Sequence, residues 1–422
     1  MKNTGWLLFD KILRLGVGLV VGVWVVRFLG PERFGIFSFA FAFATLFSVF
    51  VSLGLDGVVV RELVNSPQER NSILGAAFVL KLIGSVIALI SSLLAIYFLR
   101  PADFQVRALV GIVAVGMIFQ SLDVIDYWLQ SQIQARVAVY ARSIAFLLAS
   151  SLKVFLILTD APLIAFAWAA SLELAFAAIG LVLVYRHTGQ HVLEWRADRN
   201  RIRQLLGDSW PLALSSVAII IYMKIDQIML GEMLDSTAVG VYSAAVRISE
   251  VWYFIPAAIV ASVSPSLFEA SKTSQVVFHQ RLEKLFRTVS LSALAIAIPM
   301  TFLSNFATRA LYGNAYSGAG QILAIHIWAA LFVFMGVAQS PWTIIEGQMK
   351  FVLVKTTIGA ASNVILNLFL IPRYAGIGAA IATTVSYALA SFFLNLFNAR
   401  TRKLFYLQLA SLLPIFPIRN GS

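Results

Sequence analysis

The chain contains no cysteine, which excludes disulfides, thiolate metal sites, iron–sulfur clusters and a cysteine nucleophile. Histidine is nearly as scarce, with only His187, His191, His279 and His326, and no metal site is expected from them. Charged residues make up 12% of the 422 positions, against 60% hydrophobic residues. With a mean hydropathy of +0.86, that balance excludes an ordinary water-soluble core. Also missing are a nucleotide-binding loop, a glycine-rich dinucleotide fingerprint, a metal box and a nucleophile elbow. The expectation is therefore a protein that is not an enzyme, holds no cofactor and does not itself use ATP. No cleavable secretory signal is evident. The first apolar segment carries Asp10, Lys11 and Arg14 and runs straight into a spanning stretch, so the N-terminus is expected to stay attached and cytoplasmic.

What is present is a series of twelve long apolar stretches. Windows of about 20 residues, the length that crosses a bilayer as a helix, place six near 5–28, 34–55, 73–98, 106–127, 137–159 and 163–185. Six more lie near 210–230, 239–262, 288–303, 321–345, 354–371 and 377–397. With the N-terminus inside, the inner connections hold roughly three times as many Lys and Arg as the outer ones, including Lys350 and Lys355. Both termini are thus expected on the cytoplasmic side of the cell (inner) membrane. Insertion orientation accounts for the formal charge of +12, so the bilayer, and not nucleic acid, is the expected partner.

The longest polar run, RHTGQHVLEWRADRNRIRQLLGD from Arg186 to Asp208, lies near the middle. It divides the chain into an N-terminal six-helix bundle (1–185), a basic cytoplasmic linker (186–209), a C-terminal six-helix bundle (210–397) and a cytoplasmic or interfacial tail (398–422). The linker reads as an inner-face anchor, or as an interfacial helix with Arg196, Arg199 and Arg203 on its basic face. An internal repeat supports the division: WLLFDKILRL at 6 answers to WPLALSSVAI at 210, and FGIFSFA at 34 to VGVYSAA at 239. Two copies of six helices share one orientation and are related by an axis along the membrane normal. The expected fold is all-α integral membrane, about 12 transmembrane helices in two pseudo-symmetric six-helix bundles. The apolar stretch FYLQLASLLPIFPI (405–418) is too short to span and contains Pro414 and Pro417, so it reads as an interfacial tail or the start of a thirteenth helix.

Several segments carry a resemblance: RFLGPERFGIFSFA (27–40), SLGLDGVVVRE (52–62), KIDQIMLGEMLDSTAVGVYSAAVRISEVWYFIP (224–256), LYGNAYSGAGQIL (311–323) and NLFLIPRYAGIGAAIATTVSY (367–387). In order and spacing they are similar to the polysaccharide-transporter branch, the Wzx-type O-antigen flippases, of the multidrug/oligosaccharidyl-lipid/polysaccharide (MOP) exporter superfamily. The resemblance implies a V-shaped, alternating-access transporter. It further implies a substrate of undecaprenyl-pyrophosphate-linked oligosaccharide, with a polysaccharide polymerase and a chain-length regulator as partners. The rival readings are a multidrug or lipid II exporter of the same superfamily and, from other classes, a membrane glycan polymerase or ligase or an assembly scaffold.

Charges inside the apolar stretches are the candidate functional residues, because each costs about 2.5–3.5 kcal/mol near the bilayer centre and must face a cavity, pair or snorkel. Lys81, Lys224 and Arg247 lie deep in their segments, and Arg14 lies in the first helix. These four are the candidate cations for a pyrophosphate, whose hydration Arg and Lys donors can replace. Two same-helix pairs compete with that role, Asp10 with Arg14 and Arg247 with Glu250. Lys11, Arg142 and Lys153 lie near enough to helix ends to snorkel. Glu173, in AASLELAFAA, has no cation three or four residues away and is a candidate for coupling to H+ or Na+, unless an Arg or Lys of another helix pairs with it. Asp226 is the second coupling candidate. Pro256 and Pro341 interrupt apolar segments, either as hinges or as packing kinks. Gln120, Asn363 and Asn367 are placed to bond across helices or to contact sugar hydroxyls.

Overall fold

The computed structural model describes residues 2–412, apart from the side chains of 2–13, 15 and 135. All regular structure among them is helical, the form in which an apolar segment satisfies its own backbone without water. In chain order the first helices are α1 (Lys2–Leu46), α2 (Ser48–Ser52), α3 (Leu55–Asn65), α4 (Arg70–Leu99), α5 (Phe104–Met117) and α6 (Val124–Ser131). They are followed by α7 (Ala135–Leu158), α8 (Leu163–His187), α9 (Arg199–Met233), α10 (Ser236–Glu250), α11 (Phe254–Thr273) and α12 (Gln275–Tyr312). The last are α13 (Ala319–His326), α14 (Ala329–Ala338), α15 (Ser340–Ile345), α16 (Met349–Ser391) and α17 (Arg402–Leu412).

Among the described residues nine helices are long and apolar enough to cross a membrane, and the bent pair Gly16–Leu46 with Ser48–Asn65 makes a tenth. Two of the longest helices are broken partway. α1 and α16, of 45 and 43 residues, measure about 68 and 65 Å at 1.5 Å per residue, against about 30 Å of hydrocarbon. Each is broken, α1 at Gly30 (φ 69°, ψ 171°) and α16 at Ala375 (φ 48°, ψ −132°), so each supplies two segments. Every apolar stretch of the sequence therefore has a helical counterpart, and the chain is an all-α membrane protein of about twelve transmembrane segments.

Contacts divide the chain into two compact units, Met1–Ile220 and Ile221–Ser422, and the division falls inside α9. In the first unit α7 packs on α8 and α1, and α5 on α8, α1 and α4. Leu55, Val59, Leu74, Leu129, Leu181 and Tyr185 form the centre of its core. Apolar burial adds little to helix association when lipid is the alternative, so small residues and interhelical hydrogen bonds matter more. Ser171 on α8 shows this, donating to the Ile112 carbonyl of α5 at 2.8 Å. The basic connection before α9 docks on this unit through Trp195, whose indole N–H donates to Tyr185 Oη at 3.1 Å and whose ring lies 5.4 Å from that of Phe78. Arg61 then pairs with Asp208 at 2.5 Å and Arg201 with Glu62 at 3.7 Å.

In the second unit α12 packs with α11, α13, α14 and α17, and α16 with α13 and α14, around Leu282, Phe286, Val289, Phe334 and Met335. α17 joins this core through Leu404, while the apolar tail beyond Leu412 lies outside the described residues. Side chains cap several starts, as Asp235 does for α10 by accepting from Ala238 N at 2.8 Å. Two spans change helix type partway: Ile118–Asp123 and Val251–Tyr253 are 3-10 turns joining α5 to α6 and α10 to α11. Lys355, which the charge pattern assigned to a connection, instead lies in the second turn of α16 and is buried.

Candidate functional site

The first unit carries a polar chain inside its helices. Lys81 of α4 is 2% exposed and donates from Nζ to Tyr127 Oη of α6 at 2.9 Å, and Tyr127 Oη donates to Asp56 of α3. Beside it Arg142 of α7 pairs with Asp123 at 3.0 Å and Asp126 at 2.9 Å. The 3-10 turn before α6 is what brings Asp123, Asp126 and Tyr127 to this place, since a tighter turn shifts which side chains face inward. Arg142, which could have snorkelled, is thus paired. Lys153 is likewise paired: its Nζ lies 2.8 Å from Glu173 Oε2, joining α7 to α8. The partner of Glu173 comes from another helix, the alternative that helical spacing alone left open. Arg14 donates to Ser143 Oγ at 3.1 Å and to the Val139 carbonyl at 3.3 Å; its expected pairing with Asp10 lies outside the described side chains.

The second unit holds two adjacent sites. Asp226, on α9, is 3% exposed. Tyr242 Oη of α10 donates to its Oδ2 at 2.7 Å and Asn367 Nδ2 of α16 to its Oδ1 at 2.6 Å, with Thr383 Oγ1 a third donor. Asn367 Nδ2 also reaches Asn363 Oδ1 at 3.1 Å. The carboxylate is therefore held by neutral groups from two helices, α10 and both sides of the break in α16, with no hydrogen bond from a cation among the described residues. Of the two asparagines beside it, Asn367 Oδ1 and Asn363 Nδ2 are buried with no hydrogen-bond partner among the described residues, as are Ser243 Oγ, next to Tyr242 in the chain, and Ser386 Oγ, three residues on from Thr383. Asp226 and the two asparagines were legible as candidates; Tyr242 and Thr383 were not, because their only signal is a polar residue in a motif rich in Ala, Gly and Ser.

Arg247 and Lys224 form the second site. Along α10 the side chains of Tyr242, Val246 and Ile248 are buried, whereas Arg247 between them is exposed. It interacts electrostatically with Glu250 and Tyr312, and Glu250 interacts with Lys224 and Asp226. The two cations are thus brought around one glutamate, with Tyr222 stacked edge-on against Tyr387 at 4.8 Å nearby on α9 and α16. Lys81 and Arg14 belong to the other unit. Both hinge candidates sit where a span is interrupted. Pro256 is the third residue of α11 after the 3-10 turn, and Pro341 the second residue of α15 after α14; proline is tolerated in a first turn because its missing N–H has no helical partner there. Gln120 lies in the 3-10 turn of the first unit.

A further cation had no sequence signal. Lys355 donates to Gln339 Oε1 and, at 3.1 Å, to Asn395 Oδ1. Asn395 Nδ2 in turn donates to Gln408 Oε1 of α17 at 3.0 Å. Among the described residues this lysine has amide oxygens and no carboxylate as partners, and through Asn395 it ties α16 to α17.

A family model described as "Polysaccharide biosynthesis protein" matches residues 1–271. The chain is 26% identical over 388 residues to "Probable flippase AglR" of Haloferax volcanii, covering 89% of this chain and 78% of that protein. It is 22% identical over 402 residues to "Capsular polysaccharide biosynthesis protein CapF" of Staphylococcus aureus, covering 92% and 97%. Among solved structures, an inward-facing multidrug resistance MATE family transporter of the MOP superfamily superposes with a TM-score of 0.71 at 16% identity, covering 95% of this chain and 99% of that one. The lipid II flippase MurJ, in an inward closed conformation, gives a TM-score of 0.71 at 16% identity, covering 97% and 90%. The fold is that of the MOP-type transporters.

Proposed function

We propose, from the premise that this chain belongs to the polysaccharide biosynthesis protein family, that it is a membrane flippase of glycan precursors. Its substrate is an undecaprenyl-pyrophosphate-linked oligosaccharide, carried from the inner to the outer leaflet of the cytoplasmic membrane by alternating access. Both termini face the cytoplasm, and a polysaccharide polymerase and chain-length regulator act on what it delivers. The relatives named as a flippase and as a capsular polysaccharide protein support the glycan class.

The observation that carries the reading is the accessible Arg247 on an otherwise buried stretch of a spanning helix, grouped with Lys224 around Glu250. A pyrophosphate brings charges that cannot enter hydrocarbon bare. A guanidinium fork and an ammonium replace its water with charge-assisted hydrogen bonds. What supports coupling at Asp226 is that the carboxylate, two hydroxyls and the asparagine carbonyls offer oxygens to a proton or Na+. Glu173 is the weaker candidate because Lys153 already neutralises it.

The test is reconstitution in liposomes with fluorescent undecaprenyl-pyrophosphate oligosaccharide in one leaflet. Wild type should move it to the other, and Arg247→Ala should slow that movement at least about tenfold, the loss expected for one charge-assisted hydrogen bond. Wild type that moves an organic cation and no lipid-linked glycan would replace this reading with that of a drug exporter.

A further inference from the structure

At the far end of α12 from its start, a recess of 550 Å³ is lined by Asn305, Thr308, Arg309, Tyr316, Ser317 and Gln321. That volume lies within the range of about 300–1,000 Å³ typical of small-molecule sites. Asn305, Thr308 and Arg309 stand at helical spacings of three and four and so share one face. α13 meets that face through Gly320, where any Cβ would run into Asn305. The wall is therefore closed by backbone, which leaves the Asn305 side chain its place. Thr308 donates its hydroxyl proton to the Ser304 carbonyl at 2.9 Å and so offers only lone pairs elsewhere. The side-chain amides of Asn305 and Gln321 make no hydrogen bond among the described residues, and both are exposed. Arg309 is exposed with no ion pair among them, and none of the described Asp or Glu residues lines the recess.

This lining has a specific complement. Amides that both donate and accept, with adjacent hydroxyls, match the hydroxyl groups of a sugar ring. One guanidinium, unsupported by a second cation, matches a single planar carboxylate better than a phosphate dianion. We propose that this recess is a second binding site, selective for a saccharide that carries a carboxylate, a hexuronic acid. The proposal rests on the glycan-transport reading above. In the orientation given there the recess opens outside, so it holds a sugar of the glycan head group after that group has left the Arg247 site.

The experiment uses the full chain in nanodiscs of zwitterionic lipid and reads binding by calorimetry. The probes are a lipid-free glucuronic acid disaccharide, its neutral glucose counterpart and inorganic phosphate. The acidic disaccharide should bind about tenfold or more tightly than the neutral one, and Arg309→Gln should remove that preference while leaving the thermal transition unchanged. Gln321→Ala should weaken both sugars together. Absence of acidic-sugar binding to wild type, equal binding of both sugars, unchanged preference in Arg309→Gln, or displacement by equimolar phosphate would each overturn the proposal. Binding of a lipid-free sugar is scored without transport, whereas the flippase reading stands or falls on the liposome assay, so the two failures are distinguishable.

Discussion

Asp226 and Lys355 are both buried, and the difference between their surroundings sets what each side chain does. Asp226 is ringed by groups that can rotate or exchange partners, and the two asparagines beside it each keep one buried polar atom unpaired among the described residues. We expect Asp226→Asn to leave the fold intact, since the amide is isosteric, its oxygen still accepts from Tyr242 and Thr383, and Asn367 can turn its own amide to accept from the new Nδ2, and to make transport insensitive to an imposed Na+ or H+ gradient. Initial rates in liposomes with each gradient applied separately would check this, and retained dependence on both would place coupling elsewhere. Lys355 has two amide acceptors at hand and a helix to hold. Lys355→Met should therefore lower stability by about 2–4 kcal/mol, the cost of leaving Gln339 and Asn395 acceptors buried and unpaired; thermal unfolding in detergent is the measurement. The sequence marked Asp226 because a carboxylate in an apolar run stands out. It concealed Lys355 because a lysine one residue after the start of an apolar segment looks like part of the preceding connection, whereas the helix itself begins six residues earlier, at Met349.

At the scale of elements, breaks in the helices decide where charges meet. The 3-10 turn Ile118–Asp123 aims Asp123 and Asp126 at Arg142, and no helical periodicity predicts a local change of pitch. The turn between α2 and α3 is the other telling case. Gly54 has φ +67°, and a Cβ there would lie 2.7 Å from Ala213 N and 2.8 Å from Ser209 O of α9. Gly54→Val should therefore cost at least about 1–3 kcal/mol in backbone strain alone and push the start of α9 off the first unit. Faster proteolysis within the basic connection 188–198 would report that detachment; unchanged digestion would show that the contact is dispensable. Pro256 and Pro341 lie at interruptions of their spans, a placement that hinges and packing kinks share.

The absence of cysteine makes orientation of the whole molecule directly testable, since any introduced thiol is unique. Leu193→Cys, in the basic connection and 92% exposed, should resist a membrane-impermeant thiol reagent applied to intact cells. Asn314→Cys, between α12 and α13 and also exposed, should react. Labelling of the first and not the second would invert the proposed topology and move the saccharide recess to the inside. Composition alone determined that this is a membrane protein, because no soluble core can absorb so many apolar residues. Apolar length determined the number of segments, because bilayer thickness is a fixed ruler. Tertiary structure decided which buried charges are neutralised and which are available. Lys153 and Glu173 are twenty positions apart, Asp226 and Thr383 many more, and helical periodicity relates only residues three or four apart on one helix. Partners on different helices are chosen by how those helices pack.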